Sequence, residues 1–333
     1  MQTSTANNCN SSQALENRRL LQRILLDLLV FVVLIIPIII YEFAIEPFRR
    51  GFFCDDETIR YPFRANTITP VLLGLLLALP PIIILTMGEY ARQRSKGQIK
   101  MNEEIFGYPV RLWLVNCFKQ WIYFGFGLLL TFDATEVGKY TIGRLRPHFW
   151  DVCQPQLKDG TTCSDAINQH RYIENYYCLG TGYTTDDIRQ ARLSFPSGHS
   201  SLSFYALVYM SLYLQKRMHW RRSHLTRHFI QFCLIMLAWF TALSRIMDNW
   251  HHWSDVLAGS LIGVVGALIT ANYISKFFKH KYETGFANLR LKGLARQDTS
   301  DTLNEVLEAT PPPYTINQQP VNAFSNDTYC TKV

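Results

Sequence analysis

Ser244-Arg-Ile-Met-Asp-Asn-Trp-His-His-Trp-Ser-Asp255 lies between two apolar runs, at about 229 to 245 and 256 to 277. The arrangement sets an arginine, two histidines and a carboxylate at the edge of a membrane. Ionisable groups are costly in a bilayer, and beside spanning helices they mark a candidate site. His251 and Asp255 are four residues apart. If the second run is already helical there, the two share a face and Asp255 accepts from one imidazole nitrogen. The other nitrogen is then free as base, nucleophile or ligand. The plainer account is an interfacial belt, with Trp250 and Trp253 at headgroup level.

Outward from this stretch, further runs long enough to span lie at about 24 to 45, 67 to 87, 112 to 134 and 199 to 215. The pattern predicts an all-α fold, an integral membrane protein of six transmembrane helices with both termini cytosolic. The division expected is a cytosolic segment over 1–20, a six-span domain over 21–280 and a disordered cytosolic tail over 281–333. Residues 1–20 are polar, Leu20 begins the first helix, and the first run reads as a signal anchor because no small-residue cleavage site follows it. The net charge of +7 reflects topology and not nucleic acid. Arg18, Arg19 and Arg23, then Arg92, Arg94, Lys96 and Lys100, then Lys216, Arg217, Arg221, Arg222 and Arg227 all fall on one side, which makes that side cytosolic. Arg49, Arg50, Arg60 and Arg64 weaken this bias without reversing it.

Of eight cysteines, Cys54, Cys153, Cys163 and Cys178 fall in loops on the other side, an even number suited to one or two disulfides in an oxidising compartment. Their pairing is open. Asn10 and Asn326 fit the glycosylation pattern but lie on the cytosolic side, so no N-glycan is expected.

Two more polar islands stand on the same edge as the first. Lys139 and Arg146 are seven apart, so on a helix stopped by Pro147 both cations point one way and Arg144 points elsewhere. Two cations on one face make an anion clamp; a solvated helix end is the plainer account. Phe195-Pro-Ser-Gly-His-Ser-Ser201 opens the fourth run. Ser197 and Gly198 at a helix start offer N–H groups and a positive dipole end to a phosphate. Simple capping accounts for the serines but not for His199. Together the islands supply Lys139, Arg146 and Arg245 as cations, Ser197 and Gly198 as neutral donors, two histidines and Asp255. Three cations repel a divalent ion and no thiolate cluster is present, so the site is expected to be metal-independent, with no cofactor and no metal ligand.

Lys139-x6-Arg146-Pro147, Pro196-Ser197-Gly198-His199 and Ser244-Arg245-x5-His251-x3-Asp255 resemble the three-part signature of the type 2 phosphatidic acid phosphatase superfamily. The loop Arg50-Gly51-Phe52-Phe53-Cys54 and the run His251-His252-Trp253-Ser254-Asp255 are similar to animal lipid phosphate phosphatases, over about residues 20 to 280. The resemblance implies a phosphatidate phosphatase hydrolysing phosphatidate, lysophosphatidate, sphingosine 1-phosphate or ceramide 1-phosphate at the extracellular or lumenal face. His251 would form a phosphohistidine, oriented by Asp255; His199 would protonate the leaving alcohol and then activate water. Lys139, Arg146, Arg245, Ser197 and the Gly198 amide would hold the phosphoryl oxygens. Neutral His251 and cationic His199 together imply a bell-shaped pH profile. The plasma membrane is the expected location, with the endoplasmic reticulum or Golgi open, and a homo-oligomer is expected by analogy.

The tail offers Pro311-Pro312-Pro313-Tyr314, the form of a ligand for a WW domain, and Thr331-Lys332-Val333, the form of a C-terminal ligand for a PDZ domain. Two rival functions stay open: transfer of the phosphoryl group to another acceptor, and lipid phosphate binding by a transporter or scaffold without chemistry.

Overall fold

The computed structural model describes residues 2–98, 101–217 and 224–277, without the side chains of residues 2–16 and 224. One compact unit spans 24–278; the other combines 1–23 with 279–333, of which 2–23 are described and helical. The expected tail over 281–333, with both of its motifs, Cys330 and Asn326, lies outside the described residues.

Helix α1 (Gln2–Phe43) starts well before Leu20. Gln13, Ala14, Leu15, Glu16 and Arg18 are strong helix formers, and elongating an existing helix adds a hydrogen bond per residue without a new nucleus. Helix α2 (Pro70–Ser95) has Pro70 at its first position and Thr69 as cap, its hydroxyl accepting from the Leu72 amide at 3.2 Å. Helix α3 (Leu112–Ile142) ends at Gly143, whose φ of 57° is the left-handed conformation of a helix stop. Short helices α4 (Phe149–Cys153) and α5 (Thr185–Gln190) follow, then the long α6 (Gly198–Arg217), α7 (His224–Met247) and α8 (Trp253–Ile269), which runs on into a π-helical turn, Thr270–Ile274.

Four helical stretches are long and apolar enough to cross a membrane: Asn17–Phe43, Pro70–Ser95, Leu225–Met247 and Trp253–Ile274. The remaining two of the six expected runs form the helices α3 and α6, of which α6 is the more polar. The position of α6 explains this. Helix α6 is the hub on which α2, α3, α7 and α8 pack, and its Ser200, Ser201, Ser203, Tyr205, Tyr209 and Tyr213 are fully buried. Lipid gives helices little hydrophobic reason to associate, so close packing and interhelical hydrogen bonds carry that role, at about 0.6–2 kcal/mol each. Tyr205 donates to the Phe124 carbonyl at 2.7 Å, Tyr213 to Glu89 at 3.2 Å, and the Thr135 and Ser201 hydroxyls share a bond of 2.8 Å. Helix α8 approaches α6 through Gly259 and Gly263, where a Cβ would collide with the Ser197 and Ser201 carbonyls. That approach sets the start of α8 against the start of α6.

Above this end of the bundle, residues 44–69 and 143–197, which contain the expected external loops, fold into a cap. Strand β1 (Phe52–Phe53) pairs antiparallel with β5 (Tyr172–Ile173), and β4 (Pro155–Leu157) with β6 (Tyr176–Cys178). Phe52, Phe149, Val152, Ile173 and Tyr176 form its core. Disulfides Cys54–Cys163 and Cys153–Cys178 staple it. At the opposite end, β2 (Asn102–Ile105) and β3 (Tyr108–Arg111) make a hairpin around Phe106 and Gly107, with φ of 53° and 81°, the pair of positive values that a tight hairpin turn requires.

Candidate active site

His251 follows the end of α7. The amides of Trp250 and His251 both donate to the Arg245 carbonyl, at 3.0 and 3.2 Å, and this turn folds the ring back under the cap. Its Nδ1 lies 2.6 Å from the Ser194 carbonyl. A carbonyl only accepts, so Nδ1 carries the proton and Nε2 presents its lone pair. The imidazole is 4% exposed. Burial first, then Arg146, push its pKa well below the usual histidine value, and His199 and Lys139 act in the same direction, so all three lie within electrostatic reach of it.

Asp255 does not contact His251, contrary to the shared face expected. Helix α8 begins at Trp253 with His252 as its cap, so His251 lies before the helix and the four-residue spacing carries no helical meaning. The carboxylate is fully buried. One oxygen accepts from Arg144 at 2.5 Å; the other accepts from the Ser194 hydroxyl at 2.6 Å and the His252 amide at 3.0 Å, and meets His252 Nδ1 at 3.1 Å. Asp255 therefore reaches His251 through Ser194, which gives its hydroxyl to the carboxylate and its carbonyl to the imidazole.

Ser197 and Gly198 open α6 beneath the ring. The Ser197 amide donates to the Asp255 carbonyl at 3.0 Å, and its hydroxyl accepts from Ser200 at 3.1 Å. Gly198 belongs to the first turn, where amides point outward without intrahelical partners. A Cβ on it would come within 3.2 Å of Lys139 Nζ. The missing side chain thus leaves the ammonium and the helix start facing one space. Lys139 is held at 2.6 Å by Glu136, one turn back on α3. His199 Nε2 donates to the Ile68 carbonyl at 3.1 Å, which leaves Nδ1 as the open nitrogen.

Arg146 does not ride on α3, which has already ended at Gly143. It arrives from the loop, 4% exposed, with its guanidinium 4.6 Å from the centre of the Trp250 ring. Nη2 donates to Gln190 at 3.2 Å and the Leu193 carbonyl at 3.3 Å, while Nε and Nη1 are buried without a hydrogen-bond partner among the described residues. Burial and the neighbouring Arg245 push its pKa down. A guanidinium stays charged at any working pH, so these vacant donors amount to a demand for an anion.

Arg245 is fully buried and more engaged than expected. It donates to Ser244, to Asn66 at 2.6 Å and to Asp248 at 2.8 Å. Asp248 also accepts from the Thr67 amide and hydroxyl, both at 2.7 Å, so this cluster ties α7 to the segment before α2. Arg146, His199 and Lys139 lie within electrostatic reach of His251, Arg245 lies beside Arg146, the Ser197 amide meets the Asp255 carbonyl, and the Gly198 backbone faces Lys139. Sequence reasoning missed Ser194, Arg144, Glu136, Asp248, Asn66 and His148. His148 bonds the Asn249 carbonyl at 2.8 Å and stacks edgewise on Trp250, and burial and Arg146 pull its pKa down to about 4. Among the described residues no three His, Cys, Asp or Glu side chains converge as a metal-ligand set.

Residues 120–279 match the family model described as the PAP2 superfamily. A Drosophila melanogaster protein named putative phosphatidate phosphatase is 46% identical over 269 residues, covering 79% of this chain and 71% of the relative. Phospholipid phosphatase 1 of Rattus norvegicus is 38% identical over 260 residues, covering 77% and 86%, and phospholipid phosphatase 2 of Mus musculus is 34% identical over 267 residues, covering 78% and 88%. No solved structure matches the chain. With a helical fold, apolar stretches fit for a bilayer, and a buried histidine of fixed tautomer within electrostatic reach of Arg146, His199 and Lys139, the chain belongs to the PAP2 superfamily of membrane lipid phosphate phosphatases.

Proposed function

We propose that this protein hydrolyses lipid phosphomonoesters, of the class of phosphatidate, lysophosphatidate, sphingosine 1-phosphate and ceramide 1-phosphate, through a phosphohistidine on His251. The observation that carries this reading is the pair of buried Arg146 nitrogens, Nε and Nη1, without a partner among the described residues, beside an imidazole whose Nε2 lone pair is free. In the first step Nε2 attacks phosphorus, the bond to the alcohol oxygen breaks, and His199 gives that oxygen a proton. In the second, His199 takes a proton from water, the hydroxide attacks phosphorus, and phosphate leaves His251. Lys139, Arg146, Arg245, Ser197 and the Gly198 amide stabilise the equatorial oxygens throughout. Asp255 acts through Ser194. Because the groups aimed at the phosphate are cations and neutral donors, the chemistry runs without a metal or other cofactor.

The topology supported best is six spans, α1 to α3 and α6 to α8, with both termini cytosolic and the cap outside. The basic residues at the far ends of α2 and α6 and the two disulfides in the cap favour it. The domain division, the plasma membrane as location, a homo-oligomeric state and tail partners of the WW and PDZ type belong to the same reading. Phosphate release from short-chain phosphatidate in detergent micelles with excess chelator tests it. Wild-type protein should release phosphate and His251→Ala should not; a folded wild type releasing none would overturn it.

A further inference from the structure

We infer that Arg144 is a positioning residue for His251, acting across Asp255 and Ser194 from outside the phosphate pocket. The inference rests on the phosphatase reading above. The Lys139-x6-Arg146 frame passes over Arg144, yet its Nη1 bonds both Asp255, at 2.5 Å, and the Ser254 hydroxyl, at 2.7 Å. No Lys or Arg other than Arg144 forms an ion pair with Asp255 among the described residues; the remaining partner is the imidazole of His252. A fully buried carboxylate that loses its cation is left uncompensated and is drawn toward the open space that the cation vacates. Asp255 would then hold the Ser194 hydroxyl, the His252 amide and His252 Nδ1 less firmly. Ser194 is the link that matters, since its carbonyl fixes the protonated nitrogen of His251 and so the direction of Nε2.

The order of contacts is Arg144, Asp255, Ser194, His251, and each step is a hydrogen bond of 2.5 to 2.6 Å. Arg144 differs from the inward cations in its access. Its side chain is 33% exposed, and it lines an open cavity of about 260 Å³ together with Arg50, Phe52, Asp56, Thr58 and His252. Nε2 of His252 is buried without a partner among the described residues, so the imidazole meets Asp255 through Nδ1 alone. The relay is thus completed from a space that a small cation can enter from solution.

This access gives a test that a purely structural role would not pass. Arg144→Ala opens a hole facing the cavity, and its kcat should fall by about 100-fold with KM within about threefold, because misplacing the nucleophile weakens the transition state and not lipid binding. Millimolar guanidinium should restore a tenth or more of the lost rate, and Arg144→Lys should retain intermediate activity. Arg146→Ala, whose side chain lies outside that cavity, should not respond to guanidinium. An Arg144→Ala protein with wild-type kcat would overturn the inference while leaving the phosphatase reading intact. So would a protein of unchanged unfolding temperature that guanidinium does not rescue.

Discussion

Replacing Arg146 with Met removes the charge but keeps much of the apolar stem against Trp250. Two of its nitrogens, Nε and Nη1, have no partner among the described residues. If they meet phosphoryl oxygens, each charge-assisted bond contributes about 1.5–3 kcal/mol. Their loss should lower kcat/KM by roughly 10²–10⁴-fold, at about 1.4 kcal/mol per factor of ten. Stability should respond differently. The Leu193 carbonyl loses a donor, at about 1–3 kcal/mol, while a buried guanidinium beside Arg245 no longer has to be accommodated, a relief of several kcal/mol. The unfolding temperature should therefore stay level or rise. Phosphate release from short-chain phosphatidate gives the first quantity and thermal unfolding in detergent the second. Inorganic phosphate should also raise the unfolding temperature of the wild type and not of Arg146→Met. A kcat/KM within about tenfold of wild type, or a large loss of stability that tracks the loss of activity, would refute the reasoning and make Arg146 a structural cation.

Four further outcomes follow from the geometry. Gly198→Ala places a Cβ 3.2 Å from Lys139 Nζ, in the space assigned to the phosphate; kcat/KM should fall by about 10–100-fold without loss of stability, since Ala suits a helix better than Gly, and unchanged kinetics would count against that placement. His251 is held neutral well below the usual histidine range by burial and Arg146, so the acid limb of kcat/KM should lie clearly below pH 6.5; a limb at or above that value would contradict the assignment. His148, at about 4 in the fold, binds its proton more readily when unfolded, so its share of stability is present above the ordinary histidine value of about 6.5 and is lost as the pH falls toward 4, on the order of 3 kcal/mol in all. Replacing Cys54 and Cys163 with Ser opens a loop of 109 residues in sequence separation and should cost roughly 2–5 kcal/mol; calorimetry at fixed detergent would show no change if the cap were held by its core alone.

The helices were legible because their apolar runs are long, and the site because its three islands fall on one edge of the bundle. What the runs could not show was how polar residues are shared among helices. Helix α6 is polar because it faces other helices, a fact of packing that no local window contains. The spacing predicts a stop of α3 at Pro147, whereas the helix ends at Gly143, the usual residue for that role. The spacing predicts a direct contact of His251 with Asp255, but spacing counts residues along a helix and the helix starts between them. Ser194 carried no motif and could be found only in three dimensions, where its two ends touch residues 57 and 61 positions away. The cap was unreadable for a related reason: its strands are two or three residues long and pair across the disulfides.

The central claim is that His251 Nε2 takes the phosphoryl group and His199 helps release it. The most direct measurement is rapid quenching of His199→Ala with p-nitrophenyl phosphate, whose leaving group needs no proton, followed by mass spectrometry of the peptide containing His251. A phosphate adduct on His251 that is acid-labile, base-stable and absent from His251→Ala is the predicted result. An adduct on another residue, or turnover by His251→Ala, would contradict the account.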